Sequence, residues 1–222
     1  MKNNDKSFID LDNSEIQNLF KQFDAEPYRL QQINDWIYNK HIQEWQEMVN
    51  IPKELITSLN TETKLHPLKE INCSGSNNDP TQKYLFLTSK NNKIESVLMR
   101  QKNRTTICIS SQSGCAVDCD FCATASMGFM QNLSPGEIVD QALQLSNRSS
   151  SKITNVVFMG MGEPLLNIDS VLESIRCLNF DIGIAKIIPS TLSSKPPWPG
   201  IRFPVFLTFD NLLKYETIKS PI

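Results

Sequence analysis

The chain has 222 residues and is 40% hydrophobic, enough apolar material for one medium domain and a small one. A net charge of −2 excludes a uniformly basic nucleic-acid binder. No run approaches the ~20 apolar residues that a membrane helix needs, so no membrane partner is expected. The N-terminal stretch MKNNDKSFIDLDN is polar and lacks the apolar core of a signal peptide. The expected compartment is the cytoplasm, where six cysteines stay reduced. Lys83, Lys90, Lys93, Arg100, Lys102 and Arg104 fall close together and read equally well as a basic patch or as a solvated face.

In chain order, SEIQNLFKQF (14–23) predicts a helix capped by Ser14, with Ile16, Leu19, Phe20 and Phe23 on one stripe. PYRLQQINDWIYNK (27–40) repeats the pattern, and Pro52 opens a third short helix over 52–59. Residues 72–80, NCSGSNNDP, read as a turn cluster. Two strands follow, QKYLFLTS (82–89) and KIESVLMR (93–100), with Asn91 and Asn92 suited to a tight hairpin between them. TTICIS (105–110) reads as a further strand. Ser134 and Glu137 have capping-box spacing ahead of EIVDQALQLSN. The continuous apolar run ITNVVFM (153–159) suits a strand covered on both faces. A helix over 169–179 and a strand over 184–188 complete a β-α-β-α-β order, which predicts a parallel α/β arrangement. Six of the chain's twelve prolines lie in 189–222, where the periodicity fails.

The chemistry sits in SSQSGCAVDCDFCATASMGF. Cys115, Cys119 and Cys122 have C-x3-C-x2-C spacing. Three thiolates ligate three irons of a [4Fe-4S] cluster and leave the fourth iron open to a small-molecule ligand. Gly114 lets the loop wrap tightly, and Phe121 is placed to shield the cluster from water. Structural zinc is the main rival. It normally takes four protein ligands, and the only histidines, His41 and His66, lie far upstream. One βα unit later, the run GMGEPLLN follows a strand. Gly160 and Gly162 there permit close backbone approach. Glu163 offers a carboxylate to a cationic amino group.

Taken together, the PYRLQQINDWIY helix, QKYLF, IESVL, TTICISSQSGCAVDCDFCATASMGF, NLSPGEI and VVFMGMGEPLLN resemble the radical-SAM adenine methyltransferases of ribosomal and transfer RNA, the RlmN/Cfr family, over roughly residues 14–192. The resemblance implies a radical-SAM (β/α) barrel, a [4Fe-4S] cluster on Cys115, Cys119 and Cys122, and S-adenosylmethionine bound by Gly162, Glu163 and Ser190. It implies that Glu95 accepts a proton from the target base and that Cys108 helps resolve a protein–RNA crosslink. The implied reaction uses one S-adenosylmethionine to methylate a cysteine near the C-terminus. A second yields a radical that activates that methyl group for addition to adenine C2. Ribosomal RNA, transfer RNA and an electron donor such as flavodoxin or ferredoxin are the implied partners. The target base must leave its stack.

The sequence departs from that pattern after Pro189. No cysteine follows Cys177, so the methyl-carrying position has no counterpart. The expected organisation is an N-terminal helical RNA-binding-type domain (1–70), a β-hairpin connector (71–104), a partial radical-SAM barrel (105–192) and a divergent Pro-rich tail (193–222). The fold class is α/β. A truncated or frameshifted copy, inactive in methyl transfer by itself, accounts for these features. The alternatives are another [4Fe-4S] radical-SAM enzyme and a non-enzymatic metal- or RNA-binding remnant.

Overall fold

The computed structural model describes residues 6–76, 79–117, 119–120, 122–180, 182 and 187–189. Helix α1 (Asn13–Gln22) is capped by Asp12 and not by Ser14. The Asp12 carboxylate accepts the Ser14 and Glu15 N–H groups at 2.7 and 2.9 Å, and Glu15 reaches back to the Asp12 N–H. This reciprocal box satisfies three otherwise orphaned donors, which a Ser14 cap would not do. Helix α2 (Tyr28–Asn34) continues into a π-helical turn (Asp35–Asn39), and α3 (Lys53–Glu62) follows Pro52. Their apolar stripes meet around Ile33, Trp45, Met48 and Leu59. Phe8 packs edge-on against Trp45 with ring centroids 5.5 Å apart.

Six strands form one sheet in the order β1-β2-β3-β4-β7-β8. Strands β1 (Lys69–Ser74), β2 (Thr81–Leu87), β3 (Lys93–Gln101) and β4 (Arg104–Cys108) are antiparallel neighbours. Strands β7 (Asn155–Phe158) and β8 (Ile187–Pro189) join β4 in parallel. The run Asn72–Ser74, expected as part of a turn, belongs to β1. As an edge strand with mostly exposed side chains, it carries no hydrophobic alternation to announce it. The β2–β3 connection is a five-residue loop, 88–92, with Asn91 at φ +62°, and not a two-residue turn. Helix α5 (Ile168–Phe180) follows the turn after β7.

Helix α4 (Pro135–Arg148) begins at the Ser134–Glu137 capping box, as its spacing predicted. Every residue from Gly136 to Leu145 is buried, because the sheet covers one side and the N-terminal segment the other. The polar residues on this helix are therefore matched one by one. Gln141 bonds Ser96 and Ser110 from the sheet. Asp140 accepts from His66, the Leu68 N–H and Gln144. Asp10 accepts the Gly136 N–H at 2.8 Å. The buried apolar side chains form one continuous cluster, from Phe8 and Trp45 through Phe86 and Leu98 to Ile138 and Leu178. The N-terminal helices and the sheet thus share a core. The architecture is mixed α/β, a partly parallel sheet preceded by a small helical segment.

Candidate active site

Strands β4 and β7 run in parallel, so their C-terminal ends lie side by side. The cysteine segment follows β4 and the GMGE segment follows β7. The antiparallel strand β3 brings Lys93 and Glu95 to the same end. Open parallel α/β folds place their chemistry at this end of the strands.

The cysteine loop is held at its neck. Strand β5 (Gln112–Gly114) pairs antiparallel with β6 (Phe129–Asn132), and the Cys115 N–H donates to the Gly128 carbonyl at 3.1 Å. Gly114 has φ +72°, and a Cβ there would stand 1.8 Å from the Gly128 oxygen, so only glycine closes this neck. Inside it, the Cys122 N–H donates to the Cys119 carbonyl at 3.0 Å. None of the six cysteines is disulfide-bonded, and Cys115, Cys119 and Cys122 are all partly exposed. Burial opposes ionisation of Cys122. The N–H groups of Thr124 and Ala125 and the Thr124 hydroxyl outweigh it and hold this thiol below its usual range. Three reduced thiols on one short, neck-closed loop fit an iron–sulfur cluster. Among the described residues, no three His, Cys, Asp or Glu side chains are gathered at metal-holding distances, these three cysteines included, so it is their spacing on one loop and not a preformed clasp that fits the cluster. Phe121, within this loop, lies outside the described residues.

The second segment is clamped to the first. The Gly160 N–H donates to the Ile109 carbonyl at 3.1 Å, and the Met161 N–H to the Ser110 hydroxyl at 2.8 Å. In return, the Ser111 and Gln112 N–H groups donate to the Met161 carbonyl at 2.9 and 3.2 Å. Gly162 has φ +95° and packs against Gln112, whose Cβ would be 2.5 Å from a Cβ at position 162. Glu163 then caps a 3-10 turn (Pro164–Asn167), its Oε1 accepting the Leu165 N–H at 3.1 Å. A carboxylate with one oxygen so fixed has its other oxygen to offer to a cationic ligand.

Glu95 and Cys108 lie on one face of the sheet. Val97 pairs with Cys108 across β3–β4, and Glu95 stands two residues further along β3 on the same side. This is the face opposite α4. Glu95 is half-exposed and pairs with Lys83 at 2.9 Å. Cys108 is buried, and that burial pushes its thiol pKa up, with the Met159 N–H offsetting part of the rise. Ser190 lies outside the described residues.

Sequence reasoning missed the polar scaffold beneath these residues. Gln112, Gln141 and Asn167 are buried amides. Asn167 donates to the Ser111 and Leu133 carbonyls at 2.9 and 2.8 Å. Each stands close to a recognised motif, but its partners lie up to 56 residues away. Only the fold reveals them.

Comparison with known proteins agrees with this geometry. Residues 7–65 match the family described as the ribosomal RNA large subunit methyltransferase N-terminal domain, and residues 109–205 match the radical SAM superfamily. A relative from Thermosipho melanesiensis, named "Probable dual-specificity RNA methyltransferase RlmN", is 41% identical over 84% of this chain and 56% of its own length. A namesake from Carboxydothermus hydrogenoformans is 38% identical over 96% of this chain and 66% of its own length. The crystal structure of a radical SAM methyltransferase from Sphaerobacter thermophilus superposes with a TM-score of 0.76 at 34% identity. It covers 83% of this chain and 56% of that one. The chain thus spans a little over half the length of relatives such as those from Thermosipho melanesiensis and Thermotoga petrophila. It belongs to the RlmN-type family of radical-SAM methyltransferases.

Proposed function

We propose that these residues form the cluster- and cofactor-binding part of an enzyme that methylates adenine C2 in ribosomal and transfer RNA. The observation that carries this reading is the clamp between the C-x3-C-x2-C hairpin and the GMGE turn at one end of the parallel strands. It joins the segment that leads into the three cysteines to the segment that leads into Glu163.

In this reading, Cys115, Cys119 and Cys122 hold a [4Fe-4S] cluster, and Gly162, Glu163 and Ser190 hold S-adenosylmethionine. When bound, the cluster supplies the single electron that breaks a carbon–sulfur bond of S-adenosylmethionine. Glu163 fixes the cofactor's amino group through the carboxylate oxygen not used by Leu165. The Met161–Gly162 backbone lies against Gln112 and so fixes where that carboxylate stands. Glu95 takes the proton that the base loses, and the ammonium of Lys83 steadies its carboxylate. Cys108, beside it on the same face, serves in releasing the enzyme from the RNA. The N-terminal helices help to hold the RNA. A small cytoplasmic electron donor, such as flavodoxin or ferredoxin, supplies the electron. No helix among the described residues is long and apolar enough to cross a membrane.

The test is anaerobic reconstitution with iron and sulfide, then reduction in the presence of S-adenosylmethionine. The expected result is about four irons per chain, as the cluster type requires, and release of 5′-deoxyadenosine. Adenine methylation by these residues alone is not expected, because no cysteine follows Cys177. One tightly bound zinc with no iron, or iron without cofactor cleavage, contradicts the reading.

A further inference from the structure

Gln112 is three residues ahead of the first cluster cysteine, and it is 1% exposed. Its side-chain carbonyl accepts the Glu163 N–H at 2.9 Å, and its amide group donates to Asn132 Oδ1 at 2.8 Å. Its own N–H donates to the Met161 carbonyl, and its Cβ and Cγ press against Gly162. One side chain therefore touches three parts of the site. It starts β5, grips the last residue of β6, and orients the peptide that carries Glu163. The other bonds in the clamp join residues 109–112 to residues 160–161 through the main chain or through Ser110. Among the described residues, the hydrogen bond that reaches Glu163 itself from this segment comes from the Gln112 side chain, while Asn167, at the far end of the turn that Glu163 caps, donates to the Ser111 carbonyl.

From this we infer that Gln112 is a positioning residue. It sets the distance and angle between the cysteine loop and the Glu163 carboxylate, and so the placement of S-adenosylmethionine relative to the cluster. The inference rests on the cofactor reading above. A buried amide making both of its bonds is rigid, and losing one bond strands the partner group in a dry site. A displacement of about 1 Å in a reacting geometry can cost on the order of 100-fold in rate. Gln112 thus acts through Glu163 and the hairpin and need not touch the cofactor.

The test compares reconstituted wild type with Gln112→Met, which keeps the volume and removes both bonds, and Gln112→Glu, which keeps an acceptor for the Glu163 N–H. Iron content, melting temperature and the electron paramagnetic resonance spectrum of the reduced cluster are recorded first. The change in that spectrum on titrating S-adenosylmethionine is then measured. Gln112→Met is expected to keep its iron and its cofactor-free spectrum while its apparent affinity for S-adenosylmethionine falls roughly tenfold, the loss of about one buried hydrogen bond. Gln112→Glu is expected to recover part of that loss. Asn132→Ala loosens only the outer bond and carries the test if Gln112→Met fails to fold; its expected loss is smaller and in the same direction. Wild-type affinity in folded Gln112→Met, or in Asn132→Ala if that is the variant available, overturns the Gln112 inference alone. A wild-type protein that takes up iron and shows no response to S-adenosylmethionine overturns the cofactor reading and this inference with it.

Discussion

Chemistry and conformation meet most tightly at Gly114. Its positive φ and the Gly128 oxygen beside it leave no room for a Cβ. Gly114→Ala forces the hairpin neck open, at a cost of roughly 1–3 kcal/mol for a strained backbone alone. A fall in melting temperature together with reduced iron uptake is the expected outcome; unchanged iron uptake would show that the neck does not shape the loop. At Glu163 the relevant feature is charge. Glu163→Gln keeps the turn's acceptor for the Leu165 N–H but removes the carboxylate, so S-adenosylmethionine affinity should fall about tenfold, the worth of a charge-assisted bond. Equilibrium dialysis measures this, and equal affinity would remove Glu163 from the cofactor site. The three cysteines and the GMGE run were legible in the sequence because their spacing is itself the chemistry. Gln112 was not. A glutamine before a cysteine motif looks polar and exposed until the fold brings Glu163 and Asn132 to it.

Helix α4 ties the N-terminal helices to the sheet. His66 lies between the Asp140 carboxylate and the Ile42 carbonyl, so each ring nitrogen faces an acceptor. Burial works against the imidazolium, but the Asp140 charge, its hydrogen bond, the Ile42 carbonyl and Glu47 outweigh it and raise the pKa. The folded state therefore binds this proton more tightly than the unfolded state. Its contribution to stability is complete below the unfolded value, about 6.5, and is lost as pH rises through the higher folded value. The expected outcome is a melting temperature that declines from pH 6 into the alkaline range, with the decline flattened in Asp140→Asn. A decline of equal slope in that variant would place its origin elsewhere. Asp140→Ala should cost about 1–3 kcal/mol, since His66 sheds its proton without this carboxylate and the buried Leu68 N–H is left without an acceptor. The capping box of this helix was readable from Ser134 and Glu137. Its burial on both sides was not, because Asp140, Gln141 and Gln144 give it a polar face that in isolation reads as solvent-exposed. Strands β5 and β6 were missed for a related reason. Their buried residues Gln112, Ser113 and Gln131 are polar, so no alternation marks them.

Across the molecule, one sheet joins the hairpin strands to the parallel strands, and one core joins both to the N-terminal helices. The face of the sheet that bears Glu95, Val97 and Met99 is only partly covered, and Met159, at the end of β7, is 61% exposed. At the same end, Val117, Met127, Phe129, Met130 and Leu166 are exposed. So much apolar surface near one end of the parallel strands invites association. These residues are expected to bind a hydrophobic dye more strongly than a globular domain of equal size and to self-associate at high concentration, as seen by light scattering. A monodisperse monomer with no dye response would show that this face is better satisfied than its exposure indicates. The α/β order and the antiparallel lead-in were readable from apolar runs. The shared core was not, because packing between distant segments leaves no local period.

Every role proposed for the neighbouring residues depends on Cys115, Cys119 and Cys122 holding an iron–sulfur cluster that S-adenosylmethionine can reach. The most direct measurement is the paramagnetic resonance spectrum of the anaerobically reconstituted, reduced chain, with and without S-adenosylmethionine, beside the Cys119→Ala variant. The expected result is a [4Fe-4S] signal whose shape shifts when S-adenosylmethionine is added and which is absent from the variant. A protein that binds zinc in place of iron, or a cluster signal unchanged in Cys119→Ala, would contradict it.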